Sequence, residues 1–149
     1  MDPAPSRVLG VDLGDRWIGL ALSDPTATLA RPLEVVARGE PFWQALERLV
    51  REEGVERVVI GLPLNMDGST GPRARDALAF KAEIEKRTGL PVDPWDERLT
   101  TVQAETALRS SGLSGRKRSE RVDKVAAQII LQSWLDRRKR ASEPPEPSP

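Results

Sequence analysis

Short apolar runs separated by turn residues fill the first third of the chain and predict three β-strands. Residues 7–14 and 17–23 form two such runs on either side of a Gly-Asp-Arg turn. Residues 28–37 form a third run, which Pro32 interrupts. Strands this close in sequence pair with their neighbours, so an antiparallel meander is expected.

Helical spacing then alternates with short strands. Residues 41–53 carry apolar residues on one helical face, and residues 57–62 form a short apolar strand of the buried, parallel kind. A second helix is predicted over 72–88, with proline in its first turn and glycine after its end. Residues 92–95 form a further short strand, and its proline favours the edge of a sheet.

The last third is predicted to be mainly helical. Thr100 opens one helix, a Gly/Ser-rich basic loop covers 110–119, and a final helix covers 120–138. The order βββαβαβαα predicts an α/β fold with a five-stranded mixed sheet flanked by helices. We expect one domain over 1–140, followed by a disordered Pro-rich tail at 141–149.

Composition narrows the chemistry. The 149 residues include no Cys and no His, which excludes disulfides, thiol nucleophiles, the Ser-His-Asp triad and most zinc sites. Basic and acidic residues number 23 each, so only local clustering can indicate a nucleic-acid partner. No apolar run approaches the ~20 residues of a membrane span and no signal peptide is evident, so we expect a cytoplasmic protein without a membrane partner.

Three carboxylates stand at unusual places. Asp12 interrupts an apolar strand, Asp96-Glu97 follows the last strand, and Asp123 lies on the apolar face of the final helix. Taken singly, each has a structural explanation: a turn acceptor for Asp12, a solvated helix start for Asp96-Glu97, and a partner of the helix dipole for Asp123. If the three converge, their repulsion must be offset by cations, and an oxygen-only ligand set suits Mg²⁺ or Mn²⁺. Such ions support phosphodiester hydrolysis without histidine.

Four segments together resemble the YqgF/RuvX family of pre-16S rRNA nucleases and Holliday-junction-resolvase-like proteins. They are DLGDRWIGLALSD at 12–24, VIGLPLNMDGS at 59–69, DERLTT at 96–101 and DKVAAQIILQ at 123–132. The match runs in order from Val8 to Leu135. GLPLNMDGS and DERLTT are specific, whereas the DxGxxxxG opening is shared with other folds.

This resemblance implies a ribonuclease-H-like fold and catalytic, metal-binding acids at Asp12, Glu97 and Asp123. Glu97, rather than Asp96, is the family's acid within its motif. The resemblance also implies a supporting loop near the site and support from DERLTT. The residues of this supporting set are Asn65, Asp67, Gly68, Arg98 and Thr100.

Local clusters of basic residues favour phosphate binding close to these acids. The candidates for nucleic-acid binding are Arg73, Arg75, Arg98, Arg116, Lys117, Arg118 and Arg121. A second basic run, 137–140, either grips phosphates or complements a helix C-terminus. Aromatic residues make up only 4% of the chain, so recognition of nucleic-acid shape and backbone is expected rather than base stacking.

The resulting hypothesis is a metal-dependent endonuclease acting on structured nucleic acid. The expected substrate is pre-rRNA, alone or within a ribosomal particle, or branched DNA. A homodimer is expected for a resolvase, whereas a monomer suffices for an rRNA-trimming enzyme. Two alternatives stay open at the level of sequence. One is a non-catalytic nucleic-acid-binding or ribosome-assembly factor, and the other is an actin-like nucleotide-binding module, which would lack its second half.

Overall fold

The computed structural model describes residues 6–99 and 115–142, with side chains of the last helix from 124 to 139. The elements follow one another as the strand and helix patterns predict. They are β1 (Arg7–Leu13), β2 (Trp17–Ser23), β3 (Ala30–Ala37), α1 (Glu40–Glu53), β4 (Val55–Leu62), α2 (Pro72–Thr88), β5 (Val92–Asp96), a 3₁₀ turn (Glu97–Leu99) and α3 (Gly115–Ser142).

The strands form one mixed sheet in the order β3-β2-β1-β4-β5. β1 pairs antiparallel with β2 and parallel with β4, while β3 extends the meander and β5 extends the parallel side. This arrangement confirms the predicted mixed sheet, and Pro94 lies on an edge strand as expected. The β2–β3 pairing shifts register where Ala21 faces Pro32, so proline is accommodated at an irregularity.

Alternating residues of the central strands face two separate cores. Leu9 and Val11 of β1 pack with α1 and α2, whereas Val8 belongs to the core beneath α3. The α3 core includes Ala126 and Ala127, as expected if small residues let the helix approach the sheet. The sheet is therefore covered on both faces, with α3 alone on one of them among the described elements.

Helix α3 differs from the prediction at both ends. Residues 115–119 are helical rather than part of a loop. The high helix propensity of the Arg and Lys residues among them outweighs the lower propensity of the neighbouring Gly and Ser. The helix also continues to Ser142, two residues into the segment expected to be a tail. The helix predicted from Thr100 lies outside the described residues, as does 143–149.

Within the described ranges, no helix combines the length and the hydrophobicity needed to cross a bilayer.

Candidate active site

Asp12 lies near the end of the central strand, on the face of the sheet that α3 covers. Side chains alternate along a strand, so Asp12 faces the same side as Gly10, two residues earlier. Gly10 faces α3, because a Cβ atom there would lie 2.9 Å from the carbonyl oxygen of Ala127. Asp12 is only 8% exposed, so its side chain is largely buried on this face of the sheet.

Glu97 approaches the same place from the other side. It opens the 3₁₀ turn directly after β5, and its carboxylate lies over Gly61 of β4. A Cβ atom on Gly61 would lie 3.2 Å from both Cδ and Oε2 of Glu97. The glycine therefore provides the space in which this carboxylate sits.

Strand register brings the two acids to one edge of the sheet. Val11 pairs with Ile60, so Asp12 and Gly61 occupy neighbouring positions one residue further along β1 and β4. Gly61 faces α3 as well, since its Cβ atom would meet Cδ1 of Ile130 at 2.7 Å. The Glu97 carboxylate above Gly61 thus lies on the same face and at the same strand ends as Asp12.

Glycine surrounds Asp12 on this face. Gly19 of β2 is its register partner, Gly61 lies on the β4 side, and Gly10 precedes it on β1. Two of these glycines let other groups approach the backbone closely: α3 lies over Gly10, and Ile130 and the Glu97 carboxylate lie over Gly61.

The position of Asp123 in α3 is compatible with this edge. The helix runs antiparallel to β4, because Trp134 and Arg138 lie near Arg57 at the start of that strand, and Ile130 lies over Gly61 near its end. Going back along α3 from Ile130 leads past the strand ends, towards position 123. The Asp123 side chain lies outside the described part, and the described residues alone contain no cluster of three metal-ligating groups.

The supporting loop predicted between β4 and α2 is closed on itself. Asn65 N–H donates to the Ser69 carbonyl at 2.9 Å, and Gly68 N–H donates to the Asn65 carbonyl at 2.8 Å. Asp67 Oδ1 accepts hydrogen bonds from the backbone and hydroxyl of Ser69, at 2.9 Å and 2.6 Å. Gly68 has a φ of 87°, a left-handed conformation that glycine adopts readily.

Arg98 joins this loop to the Glu97 turn. Its guanidinium donates to Asp96 Oδ2 at 2.7 Å and to the Met66 carbonyl at 3.3 Å. Hydrogen bonds from Arg98 lower the pKa of Asp96, and Asp96 in turn raises the pKa of Arg98. The pKa of Asp67 is lowered mainly by the Ser69 hydroxyl, with a smaller contribution from the charge of Arg98.

The predicted basic residues fall into two groups. Arg73 and Arg75 lie exposed in the first turn of α2, where Arg75 donates to the Thr70 carbonyl at 3.0 Å. Arg98 is already engaged as a bridge between segments. The side chains of the remaining predicted positions lie outside the described part of the structure: Arg116, Lys117, Arg118 and Arg121. Thr100, from the supporting set, lies outside the described residues altogether.

Two features of the site have no clear signal in the sequence. Gly61 sits in an apolar strand, where glycine usually indicates only a close approach of backbone, and its role depends on a residue 36 positions later. Gln128 and Gln132 hydrogen-bond the backbone of Ala30, at the start of β3, and of Thr28 just before it, and so hold α3 on the sheet. Their bonds span about 100 residues of sequence, so local spacing cannot show them.

A family model described as "RuvX: Holliday junction resolvase" matches residues 6–137. The chain belongs to the RuvX family. That membership confirms the resemblance inferred from the four motifs, and it offers no support for an actin-like nucleotide-binding module.

Curated RuvX relatives are similar over nearly their whole length. A protein of Pelotomaculum thermopropionicum is 49% identical over 133 residues, which cover 87% of this chain and 86% of that protein. An Anaeromyxobacter protein is 50% identical over 134 residues, covering 89% and 98%. A Listeria innocua protein is 43% identical over 134 residues, covering 87% and 97%. All three bear the name "Putative pre-16S rRNA nuclease".

Solved structures of RuvC from Thermus thermophilus share the fold. One, in complex with a Holliday junction substrate, has a TM-score of 0.52 at 18% identity and covers 90% of this chain and 96% of that chain. A second has a TM-score of 0.50 at 19% identity, covering 93% and 99%. At this identity the likeness shows the fold alone, and it confirms the ribonuclease-H-like architecture.

The residues of this RuvX site fit a hard divalent cation. Asp12 and Glu97 offer only oxygen donors, which Mg²⁺ and Mn²⁺ prefer. The absence of a side chain at Gly61 lets the Glu97 carboxylate lie against β4, at the strand ends where Asp12 also lies. Two carboxylates brought to one edge of the sheet also require positive charge nearby to offset their repulsion.

Proposed function

We propose that this RuvX family member is a divalent-metal-dependent endonuclease that hydrolyses phosphodiester bonds in structured nucleic acid. The observation that carries the proposal is the placement of the Glu97 carboxylate over Gly61, beside Asp12 and on the face covered by α3. The relatives' names support a nuclease, and the matching family model spans both acids.

In this proposal Asp12, Glu97 and Asp123 hold Mg²⁺ or Mn²⁺. When bound, such ions lower the pKa of a coordinated water and stabilise charge on the phosphodiester oxygens. Asp12 is fixed by the central strand, and Glu97 by the β5 turn. Rigid placement of both carboxylates reduces the reorganisation that reaction would otherwise require.

The remaining residues are proposed to position the substrate. Arg98 holds the Glu97 turn against the 65–69 loop, so it supports the site as well as adding positive charge. Arg73 and Arg75, together with the basic residues at 116–121, are proposed to contact backbone phosphates around the acids.

We favour the 5′ leader of pre-16S rRNA as the substrate, because the curated relatives at 43–50% identity carry that name. A four-way DNA junction is the second candidate, because the matching family model is described as a Holliday junction resolvase. A pre-ribosomal particle is then the proposed partner for rRNA, and a homodimer is expected for a resolvase.

The first prediction concerns the acids. Asp12→Asn, Glu97→Gln and Asp123→Asn are each expected to lower cleavage about 100-fold or more, because each removes a charged ligand from the site. The assay offers the RNA leader and the junction side by side with Mg²⁺ or Mn²⁺, and chelation by EDTA should abolish activity. Asp15→Asn is the matched control, since Asp15 lies exposed in the adjacent β1–β2 turn.

A binding readout separates a ligand role from a folding defect. Mn²⁺ should raise the melting temperature of the wild type but not of Asp12→Asn, while both proteins unfold cooperatively. Retained cleavage in any acid variant would remove that residue from the site. A folded wild type that binds both substrates and cuts neither would favour the non-catalytic assembly factor.

A further inference from the structure

A second basic feature lies at the opposite end of α3. We name it the Trp134 cleft, an open cleft of about 560 Å³. It is lined by Arg57, Asp93, Trp95, Trp134, Arg137 and Arg138. Its volume is within the range of pockets that hold small ligands.

Trp134 holds two guanidinium groups in this cleft. The Cζ atom of Arg138 lies 5.3 Å from the centre of the indole ring, and that of Arg57 lies 6.0 Å away. Cation–π contact of this kind restricts the side chains, so their planar donors are already ordered before a ligand arrives.

The cleft carries excess positive charge. Asp93 pairs with Arg57, accepting hydrogen bonds at 3.0 Å on both carboxylate oxygens. Within the described residues, neither Arg137 nor Arg138 has an acidic partner. Two guanidinium groups therefore remain to attract an anion.

The cleft and the acids lie on the same side of the sheet. Trp95 packs in the core beneath α3 with Ile130, the residue that lies over Gly61. Arg57 precedes Gly61 by four residues of β4, which is ~13 Å of strand. Positions 123 and 137 are separated by ~21 Å of helix, or about six base steps at ~3.4 Å each.

We propose that the Trp134 cleft is a second site for backbone phosphates of the nucleic-acid substrate, several nucleotides from the bond that is cut. The proposal rests on the proposed function for its substrate class. It assigns a binding role to Arg57, Arg137 and Arg138, beyond the basic residues placed around the acids.

The test measures binding of a fluorescently labelled RNA hairpin by anisotropy, in EDTA and over a series of salt concentrations. Arg137→Gln/Arg138→Gln should weaken binding about ten-fold near 0.1 M salt and reduce the slope of log K against log salt by about 1 to 2. Arg137→Lys/Arg138→Lys should keep most of the slope, because the charges remain.

A matched control lies on α2. Lys86 and Arg87 also form a basic pair in the last turn of a helix, and Arg87 also stacks on a tryptophan, with Cζ 4.2 Å from the ring of Trp43. Lys86→Gln/Arg87→Gln should leave affinity and slope unchanged. Equal losses in both double variants, or no loss in either, would overturn the proposal.

One further arm tests an acidic protein as the occupant of the cleft. If Arg137→Gln/Arg138→Gln lost binding to poly-glutamate but bound the RNA hairpin like the wild type, the proposal would be overturned and an acidic protein partner would be indicated. Because RNA binding is measured in EDTA, a failure of the proposed cleavage would leave this result intact, so the two failures can be distinguished.

Discussion

Gly61 determines where the Glu97 carboxylate can lie, so a side chain added at this position should disturb the candidate site. In Gly61→Ala the new methyl group would lie 3.2 Å from Glu97 Oε2 and 2.7 Å from Ile130 Cδ1. The Ile130 side chain can move its terminal methyl group away, but the second contact is relieved only if the Glu97 carboxylate shifts. We expect cleavage to fall about 10- to 100-fold, with a loss of stability of about 1–3 kcal/mol, measured by steady-state kinetics and urea unfolding.

Gly54→Ala provides the control for that substitution. Gly54 ends α1 with a φ of 69° and open space around its Cα atom. Alanine there should cost about 1 kcal/mol through backbone strain and leave cleavage unchanged. Normal cleavage in Gly61→Ala would show that Gly61 does not determine the position of Glu97.

The choice between Asp96 and Glu97 shows the limit of residue-level prediction. Both are acidic, adjacent and placed after a strand, so spacing alone leaves either as a candidate; only the family resemblance singled out Glu97. In the structure Arg98 donates hydrogen bonds to both carboxylate oxygens of Asp96 and lowers the pKa of Asp96. Glu97 instead reaches over Gly61.

At the scale of elements, α3 is held to the sheet by amide side chains as well as by apolar packing. Gln132 Oε1 accepts from the backbone N–H of Ala30 at 2.8 Å, and its Nε2 donates to the Thr28 carbonyl at 3.0 Å. Gln132→Leu leaves these backbone groups without partners, so we expect a loss of about 1–3 kcal/mol in the free energy of unfolding. Urea denaturation measures it.

Gln44→Leu is the matched control, because Gln44 lies on the exposed side of α1. Its effect should stay within about 0.5 kcal/mol. If Gln132→Leu were equally mild, apolar contacts alone would hold α3 in place.

Element prediction succeeded where the signal is local. Apolar runs identified every strand of the sheet, and Pro72 and Gly89 marked the limits of α2. The start of α3 was predicted wrongly. Gly and Ser within a basic stretch favour a loop in isolation, but here they lie in the first turns of a long helix that includes them. The contacts of Gln128 and Gln132 depend on tertiary pairing, which local patterns do not contain.

At the scale of the whole molecule, acid stability is governed by aspartates. Asp24, Asp67, Asp76 and Asp96 all have a lowered pKa, for Asp24 chiefly through the Thr26 hydroxyl and for Asp76 through Arg38. A lowered pKa in the folded state stabilises it above the usual value of 3.8, and this contribution is lost as pH falls through the folded value.

We therefore expect the free energy of unfolding to change little between about pH 5 and pH 8, since the chain has no His, and to fall below about pH 4. Urea unfolding at a series of pH values measures this. Asp76→Asn should be less stable than the wild type near neutral pH and should lose less on acidification. If the free energy of unfolding rose on acidification below pH 4, the stabilising role given to these aspartates would be wrong.

The unbroken course of α3 also constrains how this molecule can change. One helix spans position 123 and the Trp134 cleft, so their separation and their relative orientation are both set by helical geometry. A single inserted residue between them would turn the cleft by ~100° about the helix axis while lengthening the path by only ~1.5 Å. Insertions and deletions are thus far more disruptive there than substitutions on the exposed side, and descent should preserve the length of this stretch more strictly than its composition.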